Sequence, residues 1–335
     1  MNTHCYPMDT RWIPPATQET RAGRRQRELR ALDRLAPGGV LFTARAKAAG
    51  WPQQLLNRRL AQGGWQQVHR GAWAAPGRLL DWFTHAWVVH TLQPHLVCSH
   101  RTAAALHKVE VLTATPGHRP LTAEFTDPRP GARHRAGARV HRLSLAPADR
   151  TVRRGLRTTS AVRTVGDLIR CLPREQAVAA ADSALATRTV HGVRRPPLLT
   201  GHDLREELDT HRDGARRART WLPLTDPLCG SPAESVARLL LLDAGLRPVS
   251  QARLRAPSGA VLRPDFFFRP QGLVVEIEGY AFHGTREAHA RDLRRFNELQ
   301  RCAGVRRVVR FTAVEVFRAP GRVVADVRAA LRELA

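Results

Sequence analysis

The sequence is short of lysine, tyrosine and acid. Of its 335 residues only Lys47 and Lys108 are lysines, so 52 of the 54 basic side chains are arginine. Acidic side chains number 29, which leaves a formal net charge of +25. Such a surplus points to a polyanionic partner, with nucleic acid foremost. Charge alone would also suit a general RNA-binding protein or a contact with anionic lipid. Two tyrosines offer little base stacking, which weakens the RNA reading. The five cysteines, at 5, 98, 171, 229 and 302, are scattered and odd in number, and none forms a Cys-x-x-Cys pair. That pattern excludes a disulfide framework and cysteine-based zinc spacing, and it suits a reducing cytosol. The first 30 residues hold no apolar signal-peptide core. No uncharged apolar run approaches the roughly 20 residues of a membrane span. The expectation is a cytoplasmic protein with no membrane segment. No Gly-rich phosphate loop and no internal repeat is present.

What is there suggests a multi-domain α/β protein. Residues 1–23 are polar, include Pro14 and Pro15, and read as a disordered tail. Residues 24–80 read as a winged helix. Leu29, Leu32 and Leu35 give a first helix its apolar stripe, and Pro37-Gly38-Gly39 ends it. Thr43 can cap a short second helix that Gly50 closes. A third runs from Trp51-Pro52 to about Gln62, with Leu55, Leu56 and Leu60 inward. Gln53, Gln54, Asn57, Arg58 and Arg59 then lie on or beside its other face, and these types read base edges and grip phosphates. Two short strands around Arg70-Gly71 would form the wing. The same helix could instead pack on protein. Residues 81–195 fit a middle α/β domain, with TAEFTDPRP and ARVHRLSL as strands and VRTVGDLIRCL and EQAVAAADSALA as helices. Ser99 there reads as the N-cap of a helix through His107, not as a nucleophile. Residues 196–230 are rich in Pro and Arg and read as a linker.

The most informative stretch is VLRPDFFFRPQGLVVEIEG, residues 261–279. A tight turn at Arg269-Pro270-Gln271-Gly272 would pair Phe268 with Leu273, Phe267 with Val274 and Phe266 with Val275. Asp265 would then stand opposite Glu276, with Cβ atoms roughly 4.5–5.5 Å apart. Two like charges between apolar runs call for a cation. A hard divalent ion such as Mg²⁺ or Mn²⁺ suits oxygen ligands at that spacing. An arginine could bridge them instead, Arg263 being one choice. Glu278 falls on the same strand face as Glu276, and His283 follows the strand.

Asp265, Glu276, Glu278 and His283, in PDF…VVEIEGYAFHG, resemble the metal-dependent PD-(D/E)xK nuclease superfamily. The branch they resemble most is that of the very-short-patch-repair endonucleases. The resemblance covers about residues 231–335 and implies an αβββαβα restriction-endonuclease-like core. It places strands near 247–255, 261–268, 273–279 and 305–311, and helices from 231, at roughly 286–302 and from about 313 to 333. It further implies a metal held by Asp265, Glu276 and the Ile277 carbonyl, with His283 as base and Glu234 as a further ligand. Glu234 in a first helical turn is equally explained by the helix dipole. Where the superfamily has lysine this chain has Glu278, and the repair branch also lacks that lysine. Arg291, Arg294 and Arg295 cluster on the following helix and could hold phosphate, with Asp292 and Glu298 as alternative partners.

LFTARAKAAGW, RRLAQGGWQQVHRGAW and SHRTAAALH resemble the N-terminal region of AbiEi-type antitoxins of type IV toxin–antitoxin systems. That resemblance implies promoter binding and a cognate toxin as partner. Two functions are therefore expected of the sequence. One is a DNA-binding protein with a metal-dependent endonuclease domain; the other is a non-catalytic, antitoxin-like repressor.

Overall fold

The computed structural model describes residues 20–112, 122–129, 138–279 and 286–335. The chain divides into two compact units, Met1–Thr84 and His85–Ala335.

The described part of the first unit opens on α1 (Arg21–Arg34), of which 21–23 fall in the stretch expected to be a tail. Thr20 caps it by accepting a hydrogen bond from the Gly23 N–H at 3.1 Å. Then come β1 (Val40–Phe42), α2 (Thr43–Ala48), α3 (Gln53–Gln62), β2 (Gln66–His69) and β3 (Ala72–Ala74). The three strands form one sheet in the order β1-β3-β2. Leu32, Leu41, Ala46, Leu56, Leu60 and Trp65 bury together between helices and sheet. Each fully buried leucine contributes about 1.5–3 kcal/mol. Thr43 is not the cap expected of it: Phe42 holds that position, and the Thr43 hydroxyl donates to the Gly71 carbonyl at 3.3 Å. The hydroxyl thereby ties α2 to the turn between β2 and β3.

The second unit has a mixed α/β architecture. α4 (Trp82–Leu92) contains the division between units. β4 (Val97–Cys98), α5 (His100–His107), β5 (Ala123–Asp127), β6 (Ala138–Arg142), β7 (Arg150–Arg153) and β8 (Leu156–Thr159) follow. These strands make one sheet, in the order β6-β5-β4-β8-β7. α6 (Ala161–Cys171) and α7 (Arg174–Leu185) come next, then the hairpin β9 (Arg188–Val190) and β10 (Val193–Arg195).

The expected linker at 196–230 is instead folded. It forms α8 (Gly201–Leu208) and α9 (Ala215–Trp221), and Leu199, Leu204, Leu208 and Ala218 enter the core of α6 and α7. Two of its arginines satisfy helix-end carbonyls: Arg217 donates to the Arg170 carbonyl at 2.6 Å and Arg219 to the Leu208 carbonyl at 2.8 Å. Sparse apolar residues at helical spacing were enough, because the arginines satisfy helix-end carbonyls.

The last part contains α10 (Pro232–Asp243), β11 (Val249–Ser250), β12 (Leu254–Arg255), β13 (Val261–Leu262), β14 (Phe266–Phe268), β15 (Leu273–Glu278), α11 (Arg286–Gln300), β16 (Arg307–Thr312), α12 (Ala313–Arg318) and α13 (Pro320–Glu333). The expected strands 247–255 and 261–268 are each broken in two. Gln251 turns the chain at φ 51°, and Pro264 lacks the N–H that would continue the ladder. β12 and β13 pair with each other, while β11-β14-β15-β16 form a four-stranded sheet. Phe266, Phe268, Leu273, Val275 and Ile277 bury in one core with residues of α10, α12 and α13. Phe267 and Val274 bury on the opposite face with Leu299 of α11. Both sheet faces are covered, so β15 opens on consecutive apolar residues, Leu273, Val274 and Val275. α10 also packs on α7, where Arg174 donates to both Asp243 carboxylate oxygens at 2.8 Å. Among the described residues, no helix is long and apolar enough to cross a membrane.

Candidate functional site

The hairpin has the pairs read from its sequence: Phe266 with Val275, Phe267 with Val274 and Phe268 with Leu273. Gly272 fixes its turn at φ 66°. A Cβ there would meet the Gly304 carbonyl oxygen at 2.5 Å, and the Gly272 carbonyl accepts the Arg306 N–H at 2.8 Å. The turn is thus locked to the start of β16. β15 and β16 run parallel from Leu273–Arg307 to Glu278–Thr312, with Glu276 beside Arg310.

Asp265 precedes β14. Its Oδ2 accepts the Ile277 N–H at 2.7 Å and its Oδ1 accepts from Gln251 Nε2 at 3.1 Å. Its neighbours Glu276 and Glu234 are 9% and 7% exposed. Burial, reinforced by the charges of Glu234 and Glu276, pushes the Asp265 carboxyl up to about 8. Glu234 occupies the first turn of α10, where its N–H donates to the Ser231 cap at 3.2 Å and its carboxylate accepts from the Gly230 N–H. Burial raises it too, with the Glu276 charge adding to the rise and those hydrogen bonds opposing it. Three carboxylates therefore share one field.

The cation at this place is an arginine, from a residue not foreseen in that role. Arg295, expected to grip phosphate, sends its guanidinium to Glu276, with Nη1–Oε2 at 2.9 Å and Nη2–Oε1 at 3.2 Å. It also donates to the Arg263 carbonyl at 3.0 Å. Arg263, the arginine considered for the bridge, contributes only that backbone oxygen to it. Glu278 pairs with Arg310 at 2.5 Å, and Arg310 lies over the Phe296 ring at 5.1 Å. Glu276, Asp292, Arg295, Phe296, Leu299 and Arg310 line a pocket between α11 and the sheet. Arg291 and Arg294 are exposed on α11. His283 lies outside the described residues.

Three carboxylates, from α10, the loop before β14 and β15, are donors of the kind a hard divalent cation takes, but among the described residues they are not gathered as closely as a bound ion needs. A cation would offset the burial and the acidic neighbours that raise Asp265. Its arrival would require Arg295 to release Glu276.

In the first unit, Gln53, Gln54, Asn57 and Arg58 are exposed along α3, and Gln53 Nε2 donates to Asn57 Oδ1 at 2.8 Å. Arg59 is committed elsewhere. It pairs with Glu28 of α1 and donates to Gln62 Oε1 at 2.9 Å. That pairing is the first cause of the lowered Glu28 carboxyl. Arg70 is exposed at the β2–β3 turn.

One cluster had no counterpart in the sequence reading. Among the described residues, His100, Glu124 and His141 bring one ligand atom each within 4.8 Å of one another. Ser99 holds the N-cap position of α5, as expected, but makes no capping bond; its Oγ lies 3.0 Å from His100 Nδ1. His107 Nε2 instead lies 2.8 Å from the Thr159 carbonyl. The signal was faint: Glu124 and His141 fall in short strands whose pairing is parallel, and parallel register cannot be read from a turn.

No family model matches the chain. Two proteins of Mycobacterium tuberculosis are similar to it, "Uncharacterized protein MT2308" of strain CDC 1551 / Oshkosh and "Uncharacterized protein Rv2248" of strain ATCC 25618 / H37Rv. Each is 29% identical over 283 residues, which cover 82% of this chain and 95% of the relative.

Proposed function

We propose that this is a DNA-binding protein whose C-terminal part is a metal-dependent endonuclease. The observation that carries the reading is that buried Asp265 lies in the field of buried Glu234 and Glu276, its carboxyl raised to about 8 by burial and then by these acidic neighbours. Strongly perturbed buried carboxyls with charged neighbours cluster at functional sites. Mg²⁺ or Mn²⁺ bound there would polarise a phosphodiester and activate water. The chain's own residues would do the rest. Asp265 is oriented by the Ile277 N–H and Gln251. Arg295 neutralises Glu276 until the cation arrives. Arg291 and Arg294 offer exposed charge for the DNA backbone. His283 takes the role of base by resemblance alone. A winged helix over residues 24–80 would supply DNA affinity through Gln53, Gln54, Asn57, Arg58 and Arg70.

Calorimetric titration with Mg²⁺ tests the shared site. Wild type should bind and Asp265→Asn should not; equal binding by both would remove the site from the account.

The bidentate Arg295–Glu276 pair favours a second reading, a non-catalytic antitoxin-like repressor in which arginines have taken the place of metal. Its mark would be sequence-specific duplex binding that chelator does not change, with no cleavage under any divalent ion.

A further inference from the structure

A second group of side chains, in the five-stranded sheet, has the chemistry of a different ion. β5 and β6 run parallel, with Glu124 beside Arg139 and Thr126 beside His141. Residues two apart on a strand share a face, so Glu124, Thr126, Arg139 and His141 all point the same way. Glu124 Oε2 lies 3.0 Å from His141 Nε2. His100 comes from the start of α5, and its ring stacks on His141 with centroids 3.5 Å apart and planes 17° from parallel.

The three residues are built in. His100 is 3% and Glu124 8% exposed, and the His141 side chain is 18% exposed. The Glu124 backbone is held at both ends: its N–H donates to Thr102 Oγ1 at 2.8 Å, and its carbonyl accepts the Ser99 N–H at 3.0 Å. His100 has φ 47°, a backbone state few non-glycine residues adopt and one that clusters at functional sites. The arginine nearest the carboxylate, Arg101, stays 3.9 Å from Glu124 Oε1. Its guanidinium is committed to the Leu112 carbonyl at 2.9 Å and Gln176 at 2.7 Å. Ser99 Oγ at His100 Nδ1 fixes the ring so that Nε2 can present its lone pair.

We propose that His100, Glu124 and His141 form a binding site for a borderline transition-metal dication, with Zn²⁺ as the type ion. Two imidazoles and one carboxylate suit Zn²⁺ and its neighbours, whereas Mg²⁺ demands oxygen. Three protein ligands leave the fourth tetrahedral position to water. Ligand atoms around Zn²⁺ sit roughly 2.0–2.2 Å from the metal. Binding therefore places the ion between Glu124 Oε2 and His141 Nε2, now in direct hydrogen-bond contact, and opens the imidazole stack, because both lone pairs must converge on one ion. The site is independent of the carboxylates near Asp265, which favour a hard ion.

The test begins with full-length protein stripped by chelator, reloaded with Zn²⁺ or Co²⁺ and dialysed. Metal analysis should find one ion per chain in wild type and in Asp265→Asn. His141→Ala and Glu124→Gln should retain none, and Ser99→Ala should bind roughly 10–100-fold more weakly, as loss of an orienting partner does. Melting curves establish that each variant is folded. X-ray absorption on Zn²⁺-loaded wild type needs no variant and should count two imidazole ligands. No retained Zn²⁺ in wild type, unchanged retention in His141→Ala and Glu124→Gln, or a shell without imidazole would each overturn the proposal.

Discussion

Arg295 grips Glu276 with both terminal nitrogens, at 2.9 and 3.2 Å, on the sheet face where Asp265 is held above its ordinary carboxylate range. The pair neutralises one acid, while Arg295 and the Ile277 N–H only partly offset the burial and acidic neighbours that raise Asp265. That imbalance makes the site testable.

Arg295→Ala should lower stability in EDTA by about 1–3 kcal/mol. Breaking a fully buried pair costs roughly 3–5 kcal/mol, and the 42% exposed Arg295 side chain reduces that by solvent screening. The same change should tighten Mg²⁺ binding, since Glu276 no longer has to be released, and Mg²⁺ should restore much of the lost melting temperature. Calorimetry and thermal denaturation with and without Mg²⁺ check both. Weaker Mg²⁺ binding in this variant would mean that Arg295 supports the ion instead of competing with it.

Asp265→Asn should stabilise the metal-free protein, increasingly so as pH rises. The ordinary Asp value is 3.8 and the folded one is about 8. A raised carboxyl pKa means that the folded state binds the extra proton. The stability linked to Asp265 is therefore fully present below 3.8 and is lost as pH climbs through about 8. The Asn variant does not titrate, so its advantage should be small near pH 4 and full above pH 8. Each kcal/mol relieved should appear as roughly 2–4 °C in melting temperature for a unit of this size. Melting curves in EDTA across that range measure it, and a pH-independent loss of stability would contradict the shared field.

DNA binding by the first unit should separate arginines that face solvent from one that does not. Arg58→Ala and Arg70→Ala should leave melting unchanged and each lower the salt slope of duplex binding by about 0.9, one phosphate contact apiece. Arg59→Ala should instead lower stability, because Arg59 ties α3 to Glu28 of α1. Fluorescence anisotropy over a range of salt, paired with melting curves, distinguishes these outcomes. Unaltered slopes for both Arg58→Ala and Arg70→Ala would move DNA binding away from this face.

Much of the carboxylate hairpin was legible because its information is local. Arg269-Pro270-Gln271-Gly272 sets the register, and period-two alternation then places Glu276 and Glu278 on one face. The stripes of α1 and α3 were equally plain from Leu32, Leu56 and Leu60. Long-range choices were not legible. Many arginines could have bridged Glu276, and only tertiary packing of α11 selects Arg295. The segment 196–230 looked like a linker because it is rich in Pro and Arg and its apolar residues show little periodicity; Arg217 and Arg219 turned out to cap carbonyls of α6 and α8. The His100–Glu124–His141 cluster needed the parallel register of β5 and β6, which no hairpin turn sets.

The most direct test of the central claim is cleavage of duplex DNA by wild type and Asp265→Asn, side by side, in Mg²⁺ and Mn²⁺ and again in EDTA, with DNA binding measured in the same samples. The account predicts metal-dependent nicking or cutting by wild type, abolished in Asp265→Asn while DNA binding persists. Equal cleavage by both proteins, or binding without cleavage by wild type under every divalent ion, would contradict it.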